Sequence, residues 1–266
     1  MTVQRLTVVI FCLVLNSFGS AQSANFHKNG DLIQAVMNND LTSVRTLLNE
    51  GASPDAVVLD GPHFSALYWA SRDGRIDIVK LLLAKGAHIN GTLINKDGPT
   101  ALNVASSQDN IEVVRLLLDK GAEVDARDNS DNIGKTALME ASFWGQAETV
   151  KLLLEKGADA NAKSNDGTTA LIWASIGGNN RRFGNANNTM KLLLDRTIDV
   201  NSKNNEGQTA LWWASLQGNT EAVKLLLDKG ADVSVKAKDG TTALKKAKDD
   251  RDTAIVQLLV QAGAKE

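Results

Sequence analysis

Residues 129–136 read Asn-Ser-Asp-Asn-Ile-Gly-Lys-Thr. The last three are those that end a phosphate-binding loop, where backbone amides and a lysine cradle phosphates at the start of a helix. The first glycine of that motif is missing, and the same Gly-x-Thr step opens other segments of the chain without a lysine, as at Gly207–Thr209. Residues 128–139 imitate a twelve-residue calcium loop. Its sixth position is Ile133 rather than glycine, and its twelfth is Met139 rather than glutamate, so the sharp turn and the bidentate ligand are both absent. The three histidines, His27, His63 and His88, have no metal-ligand spacing among them. The serines of the Trp-Ala-Ser segments have no His and Asp partners nearby of the kind a nucleophile needs. Asp159, Asp199 and Asn201 lie in polar turns, where such side chains cap backbone amides. Sequons at Asn90 and Asn187 matter only in a glycosylating host. The chain is therefore expected to be no enzyme and to hold no cofactor and no metal.

The remaining chemistry is that of surfaces, and repeated elements must position it. "Thr-Ala-Leu" opens five segments, at Thr100, Thr136, Thr169, Thr209 and Thr242, and "Ser-Ala-Leu" a sixth at Ser65. Each follows a glycine: Gly61, Gly98, Gly134, Gly167, Gly207 and Gly240, spaced 33 to 40 residues apart. A second phrase, "KLLLxKGA" with small variations, ends at Gly86, Gly121, Gly157 and Gly230, with weaker copies at Gly51 and Gly263. Both phrases place apolar and small residues at helical spacing and stop at glycine. A pair of such helices cannot bury its own apolar face, so stacked neighbours must supply the core, and a period near 33 points to a solenoid. The polar stretches after "KGA", such as "DVNSKNNEG" (Asp199–Gly207), suit turns or short hairpin fingers.

The segment "GQTALWWASLQGNTEAVKLLLDKGADVSV" (Gly207–Val235) resembles the ankyrin repeat family, whose pattern runs G-x-T-P-L-H-x-A-A, a turn glycine, then V-V-x-L-L-L-x-x-G-A-D-V-N-A. Here Ala stands for the Pro, and Ser usually stands for the second Ala. The resemblance covers nearly all of the chain beyond its N-terminus. It implies an all-α solenoid of about seven helix-turn-helix units with short hairpin or turn fingers. Their bounds are about 29–60, 61–97, 98–133, 134–166, 167–206, 207–239 and 240–266. It also implies a concave surface of fingers and inner helices, and a role in binding other proteins.

At 100° per residue, Ala66, Leu67 and Ala70 set the buried direction of the inner helix, and Tyr68 and Arg72 point away from it. The same register gives the outward pairs Asn103/Ser107, Met139/Phe143, Ile172/Ile176, Trp212/Leu216 and Lys245/Asp249. The last pair is charged, as suits a terminal cap. Three consecutive pairs (Met139, Phe143, Ile172, Ile176, Trp212, Leu216) are wholly apolar and are expected to form a binding surface with Tyr68 and Arg72. Trp69, Trp173 and Trp213 share one register position and are expected to pack between helices.

The fifth unit departs from the others. Ala174 to Lys191 spans 17 positions and Ala214 to Lys224 spans 10, so seven extra residues fall between its two helices. The insert is rich in Gly and Asn and carries Arg181, Arg182 and Phe183, which are candidates to close over a bound partner; the other reading is a passive surface loop. The same unit has Thr197 where others have the helix-stopping glycine, so irregularity is expected there.

With 29 basic and 31 acidic residues, the net charge of −2 carries no footprint for nucleic acid or anionic lipid. Arg5, the apolar run Leu6–Leu15 and the small residues after it match an export signal over residues 1–21, cleaved after Ala21 or alternatively Ala24. The run is too short to span a membrane. Cys12, the single cysteine, lies inside it. The expectation is an exported bacterial protein, periplasmic or secreted and monomeric. It would act without catalysis by binding an unknown protein partner on its concave face. Alternatives are a secreted effector binding a host protein, or an enzyme with a groove site.

Overall fold

The computed structural model describes residues 27–57, 64–90, 100–128, 130, 132–177 and 186–265. Among them are fourteen helices in seven antiparallel pairs. The first helices of the pairs are α1 (27–37), α3 (Ala66–Arg72), α5 (Ala101–Ser107), α7 (Ala137–Phe143), α9 (Ala170–Gly177), α11 (Ala210–Leu216) and α13 (Ala243–Asp249). The second helices are α2 (Leu41–Asn49), α4 (Ile76–Ala84), α6 (Ile111–Asp119), α8 (Ala147–Glu155), α10 (Ala186–Leu194), α12 (Thr220–Asp228) and α14 (Thr253–Gln261). The expected solenoid is present. Its fingers carry isolated β-bridges, such as Asp128 with Lys135 and Lys163 with Thr169.

The opening Thr or Ser of each unit is the N-cap of its inner helix. Ser65, Thr100, Thr209 and Thr242 accept the amide three residues on at 3.0–3.2 Å, satisfying one of the orphan donors of the first turn. The alanine and leucine that follow are buried. Leu67, Leu102, Leu138, Leu171, Leu211 and Leu244 meet Leu82, Leu117, Leu153, Leu193, Leu226 and Leu259 of the outer helices in one continuous core.

Stacking is reinforced by hydrogen-bond ladders that run from unit to unit. Asn29 accepts the Ser53 amide within the first unit, and from there one Asn or Asp per turn accepts a backbone amide of the next unit: Asp55 from His88, Asn90 from Glu123, Asp125 from Asp159, Asn161 from Asp199 and Asn201 from Asp232. The tips of four consecutive fingers join through three backbone bonds, Asn165 to Ile133, Asn205 to Asp166 and Lys238 to Glu206, at 2.7–2.8 Å. Before the outer helices, Asn110 Nδ2 donates to the Ser71 and Arg72 carbonyls and Gln146 Nε2 to the Ser107 carbonyl. These bonds occupy the free carbonyls at the end of the previous inner helix.

The fifth unit is irregular where Thr197 stands. Elsewhere the alanine after the stop glycine donates to a leucine carbonyl five residues back, as Ala231 does to Leu226 at 2.9 Å, with Gly230 at φ 83°. Such a turn needs a left-handed residue, which threonine resists. Here α10 stops at Leu194, and Ile198 donates to Arg196 instead.

Candidate protein-binding groove

The inner helices lie side by side, and the fingers stand beside their N-termini. Their exposed register differs from the expected one. Met139 (0% exposed), Ile172 (1%), Trp212 (6%) and Asn103 (1%) are buried, not outward. Two of them reach the next unit: Asn103 Nδ2 donates to the Lys135 carbonyl at 2.8 Å, and Trp212 Nε1 to Thr241 Oγ1 at 2.9 Å. Met139 turns its sulfur toward the Thr136 amide of its own N-cap. These four residues are thus removed from the candidate surface.

The second members of the pairs stay half-exposed: Arg72, Phe143, Ile176 and Leu216, as does Tyr68. Trp69, Glu140, Trp173 and Trp213 join them. The error lay in the serine that follows each Trp-Ala or equivalent. Ser71, Ser106, Ser142, Ser175 and Ser215 are all fully buried, and counting that position as core turns the buried direction by roughly 20° at 100° per residue. Trp69 then lies as near the outward direction as Tyr68. Trp69, Trp173 and Trp213 do pack on the core as expected, with their indole N–H groups buried and unpartnered, yet each keeps one face toward the groove.

The groove floor is aromatic and aliphatic with charges at intervals. Phe64 stacks on Tyr68 with ring centroids 4.1 Å apart. The Arg72 guanidinium lies 4.2 Å above the Trp69 ring and 2.7 Å from Asp73. Phe143 meets Trp144 and Trp173 edge-on at 5.3 and 5.6 Å, and Trp212 meets Trp213 at 5.0 Å. Lys135 reaches across the groove to pair with Glu140 at 2.7 Å and lies 5.5 Å over the Trp173 ring. Burial pushes the Tyr68 phenol above its usual range; the Asp128 carboxylate adds to this, Arg72 opposes it, and Glu140 adds again. Lys135, Glu140 and Asp128 were not among the binding residues expected from the sequence. The Lys-to-Glu pairing of residues five apart joins a finger to a helix and has no helical periodicity to show it.

The seven extra residues lie between α9 and α10. Arg181, Arg182 and Phe183 are outside the described residues. At the edge of the insert, Gly177 is not a hinge but the last residue of α9, buried against α7. A Cβ built there would lie 1.9 Å from the Phe143 carbonyl oxygen. In the false phosphate loop, Thr136 caps α7 and Lys135 is committed to Glu140. Among the described residues no group of three or more His, Cys, Asp or Glu could hold a metal ion, and no helix is long and apolar enough to cross a membrane.

The model of the family described as ankyrin repeats (3 copies) matches residues 32–128, 127–204 and 180–266. The chain belongs to the ankyrin-repeat family. Among solved structures, the ankyrin repeat domain of human ASB11 is similar, with 25% identity and a TM-score of 0.74 over 88% of this chain and 98% of that one. No curated protein matches the chain. Ankyrin repeats are in general protein–protein interaction scaffolds, and typically non-enzymatic. Such solenoids present an extended concave surface, to which the inner helices and fingers of this chain contribute.

Proposed function

We propose that this protein binds a partner protein in the groove formed by its inner helices and fingers, without catalysis. The observation that carries the reading is the stripe Phe143, Trp173, Ile176, Trp213 and Leu216, half-exposed on three consecutive units. Contiguous apolar surface rimmed by polar groups marks interaction sites, and aromatic residues in such stripes dominate binding energy. The polar rim is present in Lys135, Glu140, Gln217 and Lys246. Solvated apolar side chains held on rigid helices lose little freedom on binding, which favours affinity.

The test is capture of a partner by the parent protein, its identification by mass spectrometry, and kinetics with Trp213→Ala and Leu216→Asp. Trp213→Ala should weaken binding by about 2 kcal/mol or more, mostly through faster dissociation. Circular dichroism should match the parent. Parent-like binding by both variants would place the partner elsewhere. We propose also that the protein is exported, on the strength of Arg5, the apolar run Leu6–Leu15 and the small residues behind it. N-terminal sequencing should then find Gln22 or Asn25 first; a native protein that retains Met1 contradicts this.

A further inference from the structure

Next to the apolar stripe, the groove contains a cavity of about 170 Å³ lined by Tyr68, Asn103, Val104, Ser107, Asp128, Glu140 and Trp144. It spans three units: Tyr68 stands on α3, Asn103, Val104 and Ser107 on α5, Glu140 on α7 with Trp144 just after it, and Asp128 on the finger. We infer that this cavity is a subsite for one cationic side chain of the partner, an arginine or a lysine, held between Tyr68 and Trp144 against Asp128. The inference deepens the reading of the groove as a protein-binding surface and rests on it.

Charge is the first argument. Two cations beside the lining residues are paired with carboxylates, Arg72 with Asp73 and Lys135 with Glu140, both at 2.7 Å, and Arg127 donates to the Gly134 carbonyl at 3.1 Å. Among the described residues Asp128 is in no ion pair; its Oδ1 accepts the Ser130 amide at 2.9 Å, and its Oδ2 has no partner there. Of the two carboxylates that line the cavity, Glu140 is thus paired and Asp128 is the one left to meet a cation from a ligand. The Tyr68 phenol is raised first by burial and next by the Asp128 carboxylate, which therefore faces it across this space.

The walls are the second argument. Two aromatic side chains from different units bound the space, and aromatic faces attract cations more strongly where water is excluded. The Glu140 Oε2 atom accepts Trp144 Nε1–H at 3.3 Å while Oε1 takes Lys135, so the indole is fixed in place before any ligand arrives. Among the described residues the Tyr68 hydroxyl has no hydrogen-bond partner, so it can meet one from the ligand. An anionic or purely apolar side chain would leave Asp128 desolvated and unpaired, which is costly. Size is the third argument. Pockets that take whole small ligands measure about 300–1,000 Å³; this one matches the end of a single side chain.

The experiment titrates the whole protein, ¹⁵N-labelled, with capped glycine pentapeptides bearing one central arginine, lysine or citrulline, and follows the Trp144 indole N–H by NMR. Spermidine is run as a free polycation. The arginine and lysine peptides should move the Trp144 signal saturably and the citrulline peptide should not. Asp128→Asn, which keeps the acceptor for the Ser130 amide, should weaken the arginine peptide about tenfold, as loss of one charged hydrogen-bond partner does. The other four indole signals report that the fold is intact. Equal shifts from citrulline and arginine, an unmoved Trp144 signal, or an Asp128→Asn protein that binds like the parent each overturn the subsite. Spermidine binding more tightly than either peptide overturns a side-chain occupant in favour of a free polycation. These results are separable from the groove reading. Silent peptides with a partner that is sensitive to Trp213→Ala remove the subsite alone. Saturable peptides with a partner indifferent to Trp213→Ala remove the groove reading and leave the cation site.

Discussion

Gly177→Ala tests whether two helices are in the close contact that the fifth unit shows. By local propensity the change should help, since alanine favours a helix over glycine by about 0.8–1.0 kcal/mol. The tertiary contact decides against it. The added Cβ would meet Phe143 O at 1.9 Å, the Phe143 carbonyl carbon at 2.9 Å and its Cα at 3.3 Å. All three are backbone atoms of the preceding inner helix, so no side-chain rotation relieves the overlap. Carbon and oxygen without a bond between them sit comfortably near 3.5 Å, so α9 and α7 must part by well over 1 Å at that end, opening a packed interface along the stack. Overpacking of this kind costs about 1–3 kcal/mol, occasionally more. For a chain of this size each kcal/mol lowers Tm by about 2–4 °C, giving a fall of roughly 2–12 °C. The comparison is Gly30→Ala in α1, where nothing lies within 4 Å of the new Cβ. There propensity acts alone, and stability should rise by about 0.5–1 kcal/mol. Thermal and urea melts followed by circular dichroism measure both. A Gly177→Ala protein as stable as the parent, or more stable, would refute the close approach of α9 to Phe143.

Three further outcomes are expected. Leu153→Ala and Leu193→Ala, each at a fully buried position of an outer helix, should cost about 2–5 kcal/mol and can split urea unfolding into two transitions, because each unit contacts only its neighbours; an unchanged midpoint would exclude them from the core. Asp125→Asn should stabilise the protein at neutral pH. Burial first, then repulsion from Asp159, hold the Asp125 carboxyl above the usual carboxylate range, against the pull of the Asp159 amide and Arg127. The folded state thus binds that proton more tightly than the unfolded chain, and stability from this group is lost as pH rises through the raised folded value. Asparagine keeps the acceptor for the Asp159 amide, as Asn90, Asn161 and Asn201 do in the same ladder, so the variant's advantage should grow across that window, hold at pH 7 and vanish in acid; an advantage independent of pH would contradict the assignment. Thr197→Gly should restore the usual stop to α10 and add about 0.5–2 kcal/mol in chemical denaturation, with a loss of stability indicating that the irregular turn is needed.

What the sequence made legible follows from what repetition can average. Helix pairs recur seven times, and the N-cap residues and core leucine pairs six times, so each error in one unit is corrected by the others. The N-cap threonines and stop glycines were therefore readable, and so was the effect of losing one at Thr197. The groove was read less well because an exposed register is decided by a difference of a few tens of degrees on a helix of seven residues. The buried serine tips that balance, and serine does not announce itself as core. Met139, Ile172 and Trp212 are apolar for the ordinary reason that they are buried, and for Trp212 the contact, Thr241, belongs to the next unit. Lys135, Glu140 and Asp128 escaped notice because a pair that joins finger to helix has no period.

The fifth unit then takes on a different character. Its insert is rich in Gly and Asn, but Gly177, at the insert's edge, lets α9 run one residue further than its neighbours and press its end against α7 at Phe143. Phe143 in turn sets the edge of Trp173, and Trp173 carries Lys135 over its face. The chain thus tightens the packing of the groove floor just where it lengthens the connection to the outer helix, and loosens again at Thr197 on the far side. A unit irregular at both ends of its outer helix, but closely packed along its inner one, keeps its rigid part on the face where the apolar stripe lies. This distribution is what a binding surface needs, since the side chains that must meet a partner are held by helices while length changes are confined to the turns.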